Sequence, residues 1–414
     1  MSTREIVRAE SSSIKLGVVD SQIASVRTQT EEQTAVRFID DGHVGVASAV
    51  GQTDVDELTK AAREALLFEI PFPVEPEGRR TLSTEHVGDE HDVASLLQLT
   101  DQVLGALRSS YPNYVFSHGV EQNSLAWHIE SDAGLDLHYR RVTTQAAFIV
   151  KEKGSGNIID TFVGVDGLSL DVDTVMGVFH EHMRAYGQIV EPRTGRQRVI
   201  FPGLSGMASS NLLQLFRSDL TARSYGSGAS VFSGKVGDGD RHFHPSLHLY
   251  EARDPALHRV CPFDMEGVVR HPLNLDIVRD GRLCALAASK RDSQRFGVPA
   301  TGTAIGDVAQ LPTSGFGRIV GAPTAEGLAD LLDDEGGLLV WFVAGGDTTR
   351  VGDMALPAQV VLAVDGDGVP IGRVPGCTLK GNLSEVFGDD FVGISNQAVD
   401  PFSDEGFLVT HMTI

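Results

Sequence analysis

The stretch RVCPFDMEGVVRHPLNLDIVRDGRLCALAASKRDSQRFGVPATGT, residues 259–303, decides how the rest of the chain is read. Asp280-Gly281 separates two apolar runs. Asp-Gly is a strong hairpin signal, because both central positions of a type I′ turn need positive φ and glycine adopts it without penalty. Residues 275–278 and 282–287 are therefore expected to pair as a β-hairpin. Ahead of them, Phe263-Asp264-Met265-Glu266-Gly267 reads as an acidic turn feeding a strand from near Val268. Behind them, a basic, Ser-rich segment runs to the break at Gly297-Val298-Pro299. The block is a β-rich scaffold and by itself names no chemistry.

Upstream, residues 13–19 and 23–30 alternate in the strand period, and residues 34–39 and 44–49 flank the turn Asp40-Asp41-Gly42-His43. A β-meander is expected to open the chain. Thr53 is a suitable N-cap for a helix reaching about Phe68, with Asp54, Asp56 and Glu57 in the first turn, where negative charge suits the helix dipole. Three prolines in residues 70–76 make an extended connector. Further helices are expected over residues 91–109 and 172–186, with strands at 114–118, 125–131, 135–143 and 146–153. Residues 191–195 read as a linker, so the boundary between two domains is placed at residue 192, giving domains 1–192 and 193–414.

In the second half, a strand at 198–201 precedes a helix expected over residues 205–223, and another helix is expected over 324–332 with Thr324 as cap. Short strands at 340–344, 360–365 and 370–374 are broken by glycine. The fold class is α+β: an N-terminal α/β domain with an antiparallel meander and helices, then a mostly antiparallel barrel-like or sandwich domain.

With 414 residues and 41% hydrophobic content the chain can support two sizeable cores. Its formal net charge of −22 argues against nucleic acid as a partner, because a phosphate backbone is held by clustered Lys and Arg. Cys261, Cys284 and Cys377 contain no C-x-x-C pair, so neither a disulfide framework nor a zinc ribbon is expected. No span of about 20 apolar residues and no signal-peptide run occurs. A cytoplasmic protein without membrane contact is the expectation.

Chemistry is sought in the titratable clusters. In Phe179-His180-Glu181-His182 the histidines are two apart, about 200° around a helix, so they cannot share a metal on one face; an exposed polar helix end is expected. Arg241-His242-Phe243-His244-Pro245-Ser246-Leu247-His248 spaces three histidines so that an extended strand would put all three on one side. His242, His244 and His248 are thus candidate metal ligands, with His258 or Cys261 as a fourth, although Pro245 points to an edge or loop. Gly203-Leu204-Ser205-Gly206-Met207 resembles a nucleophile elbow one residue short, and a turn with a serine cap accounts for it. Gly226-Ser227-Gly228 and residues 234–239 match no phosphate-binding fingerprint.

Phe263, Asp264, Glu266 and Gly267, Asp280-Gly281, Ser289 with Lys290 and Arg291, and Gly297 before Thr301-Gly302 resemble the C-terminal signature of the TldD/PmbA family. Residues 8–51, opening RAES, are similar to its N-terminal pattern, and Pro375-Gly376-Cys377-Thr378-Leu379-Lys380-Gly381-Asn382-Leu383 to its near-terminal segment, with Gly376, Gly381 and Asn382 as signature positions. The family is labelled as modulators of DNA gyrase and understood as subunits of a zinc metalloprotease. The resemblance implies structural or groove-lining roles for Phe263, Asp264, Glu266, Gly267, Gly281, Gly302, Gly376, Gly381 and Asn382. It also implies, in the active subunit, an H-E-x-x-x-H helix after the first C-terminal strand, with a third ligand from near the C-terminus. Here that segment, residues 205–217, reads SGMASSNLLQLFR and holds no His, Glu, Asp or Cys. The chain thus resembles the TldE branch, and the resemblance implies no cofactor here and zinc in a TldD-like partner. The expectation is a non-catalytic subunit that pairs with a TldD-like, metal-bearing subunit and helps hold an unfolded peptide substrate. The alternatives are a self-sufficient hydrolase using His242, His244 and His248, and a homodimeric peptide-binding protein without turnover.

Overall fold

A computed structural model describes the chain except Met1, Ile158, Met207 and Phe402. The first part runs β1 (Thr3–Val19), β2 (Gln22–Asp40), β3 (His43–Val50), α1 (Val55–Glu64), β4 (Arg80–Val87), α2 (Val93–Ser110), β5 (Tyr114–Ser131), β6 (Leu135–Glu152), β7 (Thr161–Gly167) and α3 (Val172–Met183). The strands form one sheet in the order β3-β2-β1-β5-β6-β4, with β7 also paired to β6. Every pairing is antiparallel except β4 with β6. β4 and β7 lie end to end along the outer edge of β6, against Val142 and Thr144 respectively.

The expected meander is present, but its strands are longer. Residues 23–30 and 34–39 belong to one strand, as do 114–118 with 125–131 and 135–143 with 146–153. Polar residues such as Glu31, Glu32 and Gln33 read as a break, yet each pairs across β1, whose Glu10 faces Glu32. Backbone pairing continues wherever a neighbouring strand is in register, whatever the side chains. β4 was not anticipated, because its pairing partner lies some fifty residues downstream. Asp54 caps α1, in place of Thr53, by accepting the amide of Asp56 at 2.8 Å.

Strand alternation then distributes the cores. On one face of β5 and β6, Phe116, Val120 and Phe148 pack with Leu104 and Leu107 of α2 and Val175 and Phe179 of α3. On the other face Ile129, Leu137 and Tyr139 pack against Phe263 and Met265.

β8 (Arg196–Pro202) begins a second sheet. It is flanked by Gly337–Val343 and Gly406–Thr413, and pairings through Cys377–Asn382 and Asp353–Val364 return to Gly337–Val343, closing a ring of strands. The expected barrel-like alternative is the one observed. Val199 and Phe201 enter the core on one side of β8, and Ile200 joins the cluster that contains α2 and α3. Leu362, Phe407 and Val409 do the same, so that cluster is shared by both sheets.

Two expected helices are corrected. Over residues 205–223, with Met207 outside the described residues, the chain forms a 3-10 turn Ser210–Leu213, a short helix Gln214–Asp219, and a second, Ala222–Gly226, capped by Thr221. Backbone bonds between Leu220, Ala222 and Ala287 hold the break between the two helices in extended form. Over 324–332 only the 3-10 turn Ala329–Leu331 occurs; Thr324 exchanges hydrogen bonds with the backbone of Ile394 instead of capping a helix. The Asp280-Gly281 hairpin is present, with both φ values positive, between Leu275–Arg279 and the shorter Arg282–Leu283. No strand starts at Val268. The Ser-rich segment behind the hairpin is a helix, Lys290–Phe296, capped by Ser289 and closed by Gly297 at φ 67°.

Candidate functional site

Between the first sheet and the loops and short helix packed over it from the second half lies a cleft of about 530 Å³. β5 and β6 supply Leu125, Tyr139, Arg141 and Thr143, and β7 supplies Asp166. Ser205 and Arg217 come from the segment after β8, Ala252, Arg253, Arg259, Val260 and Cys261 from the stretch after residue 251, and Gly317 and Arg318 from the strand approach at residue 319. Period-two alternation places Tyr139, Arg141 and Thr143 together on one face of β6, with Leu125 directly across from Arg141. Five arginines and a single carboxylate therefore line this cleft in a chain of net charge −22.

The floor is a charge network. Glu251, fully buried, accepts from Arg253 at 3.0 Å, from Arg270 at 2.5 Å and from the amide of Gly317 at 2.9 Å. Arg318 donates to Asp404 at 2.8 Å and to Glu405 at 3.0 and 2.8 Å. Burial pushes Asp404 upward, but hydrogen bonds from His258 and Arg318 outweigh it and hold the carboxyl well below the usual range. Glu405 also accepts the amides of Leu204 and Ser205 at 2.6 and 3.0 Å and the Ser205 hydroxyl at 2.5 Å. Four of the five donors on this carboxylate come from Arg318 and the backbone, and the Ser205 hydroxyl completes the set, so the contact ties the turn after β8 to Glu405 and holds Ser205 in place. Burial pushes the Cys261 thiol and the Tyr139 phenol up to about 12, so both stay protonated near neutral pH. The cleft can bind and orient an anion.

The sequence candidates lie elsewhere. His182 is buried, not exposed as expected: its Nε2 lies 2.7 Å from the Thr161 hydroxyl, and desolvation pushes it down to about 4. His180 meets the Tyr111 hydroxyl at 2.7 Å. The histidines of residues 242–248 sit in a loop, not on a strand, and each faces its own partner. His242 bonds Asp238 at 2.9 Å, His248 bonds Asp276 at 2.7 Å, and His244 accepts the amide of Ser246 at 3.2 Å beside the Phe391 ring. His258, offered as a fourth ligand, is buried between Tyr250 and Asp404.

Among the described residues, the one group of three metal-type ligand atoms within 4.8 Å of one another is His128, Asp136 and His138. Both Nε2 atoms bond the same Asp136 oxygen, at 3.0 and 2.9 Å. Arg8 lies 3.3 Å from the Nδ1 of His128. A guanidinium only donates, so Nδ1 accepts and the proton sits on Nε2, facing Asp136. That tautomer is the wrong one for metal at Nε2, and the trio is set up as a hydrogen-bonded array.

The signature residues build turns and core. Phe263 is buried against β1 and β6, and Asp264 ties its turn together by accepting the amides of Glu266 and Val268 at 2.9 Å and of Ala304 at 3.0 Å. Gly267 has φ 73°, and a Cβ there would stand 2.6 Å from Leu135. Gly302 backs onto Val268 and Arg270, and Gly281 occupies the hairpin turn. Gly376 precedes and Gly381 lies within the strand Cys377–Asn382, whose last residue caps the helical turn Leu383–Val386 through Ser384. None of these residues lines the cleft. Sequence reading passed over Arg141, Arg217, Arg253 and Arg318. The available signal was Arg141, a charge that continues the buried face Leu135, Leu137, Tyr139.

The family profile described as PmbA/TldA metallopeptidase C-terminal domain matches residues 194–411, and the one described as PmbA/TldA metallopeptidase domain 1 matches residues 5–67. Similar solved structures include TldE from Thermococcus kodakarensis, at 18% identity and TM-score 0.81, covering 99% of this chain and 96% of that one. A candidate modulator of DNA gyrase from Thermotoga maritima shares 15% identity at TM-score 0.78, covering 100% and 96%. Another, from Bacteroides thetaiotaomicron, shares 15% at TM-score 0.74, covering 99% and 94%. No curated protein matches the sequence. At these identities the solved structures establish the fold, which is that of TldE, and the profile covering more than half of the chain establishes the lineage: the chain belongs to the TldD/PmbA metallopeptidase family.

Proposed function

We propose that this chain is the non-catalytic, TldE-like subunit of a cytoplasmic heterodimeric zinc metallopeptidase that cleaves unfolded or modified peptides. Its part is to wall the chamber and hold the peptide, while a TldD-like partner carries the metal. One observation carries the reading. The segment after β8, where the resemblance places H-E-x-x-x-H, offers no side chain able to ligate zinc, and its Ser205 is occupied by Glu405. A zinc peptidase needs a metal-activated water and a base to move its proton, and neither is available from residues 205–217. The donor set of this segment does not fit a metal. The dispersal of His242, His244 and His248 to Asp238, Ser246 and Asp276 weighs against a self-sufficient hydrolase.

The test is a mixing experiment with an unstructured substrate such as casein, following new amino termini with this chain alone, with an H-E-x-x-x-H homologue alone, and with both. Cleavage is expected only from the pair, and it is expected to vanish when the partner's metal-site glutamate is changed while the complex still forms. Chelator-sensitive cleavage by this chain alone, abolished by His242→Ala or His248→Ala, would sink the reading.

A further inference from the structure

We propose that the arginine-lined cleft is a subsite for a peptide's C-terminal carboxylate, with Arg141 and Arg217 as the residues that receive it. The proposal rests on the subunit reading for the choice of a peptide as ligand. The anion preference stands on geometry and charge.

The arginines of the cleft divide into two kinds. Arg253 and Arg318 are committed to Glu251 and to Asp404 with Glu405, where they stiffen the floor, and Arg259 is paired with Asp166 at 3.9 Å. Arg217 is different: its Nη1 rests on the carbonyls of Phe316 and Gly317 at 3.4 and 3.0 Å, which orient the guanidinium, and it feels the carboxylates of Glu251 and Glu405 without an ion pair to either. Arg141 has neither a hydrogen bond nor a carboxylate partner among the described residues, although it stands on the rigid interior strand β6. Two guanidiniums without an ion pair reach one cleft, Arg141 from β6 and Arg217 from the short helix Gln214–Asp219, inside a strongly acidic molecule. Placing uncompensated positive charges together at a partly desolvated site costs free energy, and an anion between them recovers it. Arginine's planar fork matches a carboxylate bidentately.

The cleft's size selects the end of a chain. About 530 Å³ accommodates one or two residues and excludes a folded surface. Leu125 and Val260 offer an apolar flank for the last side chain beside the charge. An extended peptide entering the cleft would thus be anchored by its C-terminus in this chain while upstream residues run toward the partner. The subunit would set how far from the C-terminus cleavage occurs.

The experiment uses the full chain and an N-terminally fluorescein-labelled ten-residue peptide free of Asp and Glu, prepared with a C-terminal carboxylate and with a C-terminal amide, read by anisotropy. The carboxylate form is expected to bind at least about tenfold more tightly, about 1.4 kcal/mol. In Arg141→Met, whose side chain has no structural bond to lose, and in Arg217→Gln, the preference should fall to within about twofold, with the melting temperature of Arg141→Met unchanged. Equal binding of acid and amide by the native chain would overturn the proposal, as would a preference that survives both substitutions. So would displacement of the peptide by inorganic phosphate at a tenfold lower concentration than acetate, which would mark a phosphate site. Failure here is distinguishable from failure of the subunit reading. If the mixed pair cleaves acid and amide peptides alike, the subunit reading stands and the subsite falls; if Arg141-dependent acid binding occurs and no mixture cleaves, the reverse holds.

Discussion

Glu266 has one carboxylate oxygen on the amide of Lys290 at 2.8 Å and another, buried, with no partner. Burial, reinforced by Asp264, pushes it from the ordinary 4.5 up to about 7. A carboxyl raised on folding binds its proton more tightly in the native state between those two values, so stability falls as pH rises from 4.5 to 7, and the deficit is fully present above 7. Glu266→Gln, which keeps an acceptor for Lys290, is therefore expected to stabilise the protein at pH 8 by roughly 1–3 kcal/mol and by little at pH 4.5. Urea melts at the two pH values check this; an equal change at both would refute it. His182 has the opposite sign. Lowered from 6.5 to about 4 by burial, it is neutral in the fold, and the stability it forfeits on acidification is lost between pH 6.5 and 4. His182→Gln should flatten acid sensitivity in that window, read by thermal melts, and leave the pair's cleavage rate at neutral pH within about twofold.

At the scale of elements, the Asp280-Gly281 hairpin is the most sharply specified feature. Gly281 has φ 74°, and a Cβ there would stand 2.3 Å from the Phe243 carbonyl oxygen, so substitution meets both backbone strain and a neighbour that cannot rotate away. Gly281→Ala should cost about 2 kcal/mol or more, and Asp280→Asn, a residue at home with positive φ, less than about 0.5 kcal/mol. Denaturant midpoints of the two variants against the native chain decide it. The neighbouring helix Lys290–Phe296 shows why local signals can be present yet unread. Ser289 and Gly297 stand at its two ends, but seven residues carry too few turns for an apolar periodicity to register. Its cap, Ser289, is 1% exposed and accepts the amide of Asp292 at 3.2 Å. The expected helix over residues 205–223 failed for the converse reason: its apolar spacing is helical, but tertiary backbone bonds to Ala287 interrupt it.

Over the whole molecule, the two proposed domains do not own separate cores. Ile200, Leu339, Leu362, Phe407 and Val409 from the second sheet pack in one cluster with Leu104, Phe116 and Phe179 from the first part, and Phe263 packs against Leu137. Each such apolar side chain withdrawn from water is worth roughly 1.5–3 kcal/mol, and cutting the chain at residue 192 would expose both halves of the shared clusters. The chain is expected to unfold in a single calorimetric transition, and residues 1–192 expressed alone are expected to lack cooperative melting. Two resolved transitions, or a cooperatively folded fragment, would show that the clusters are dispensable. No helix among the described residues is long and apolar enough to cross a membrane.

What the sequence determined by itself is whatever rests on neighbours along the chain. The Asp280-Gly281 turn, the meander and the want of zinc ligands in residues 205–217 all follow from residues a few positions apart. Tertiary structure decided what depends on chain segments meeting. β4 exists because β6 offers a free edge, and residues 23–40 form one strand because β1 runs beside them. The histidines of residues 242–248 go separate ways because Asp238 and Asp276 reach two of them first. The cleft was beyond reach for the same reason: Arg141, Arg217, Arg253 and Arg318 are spread over 178 positions, and only the packing of the second half's loops and short helix against β6 brings their charges together.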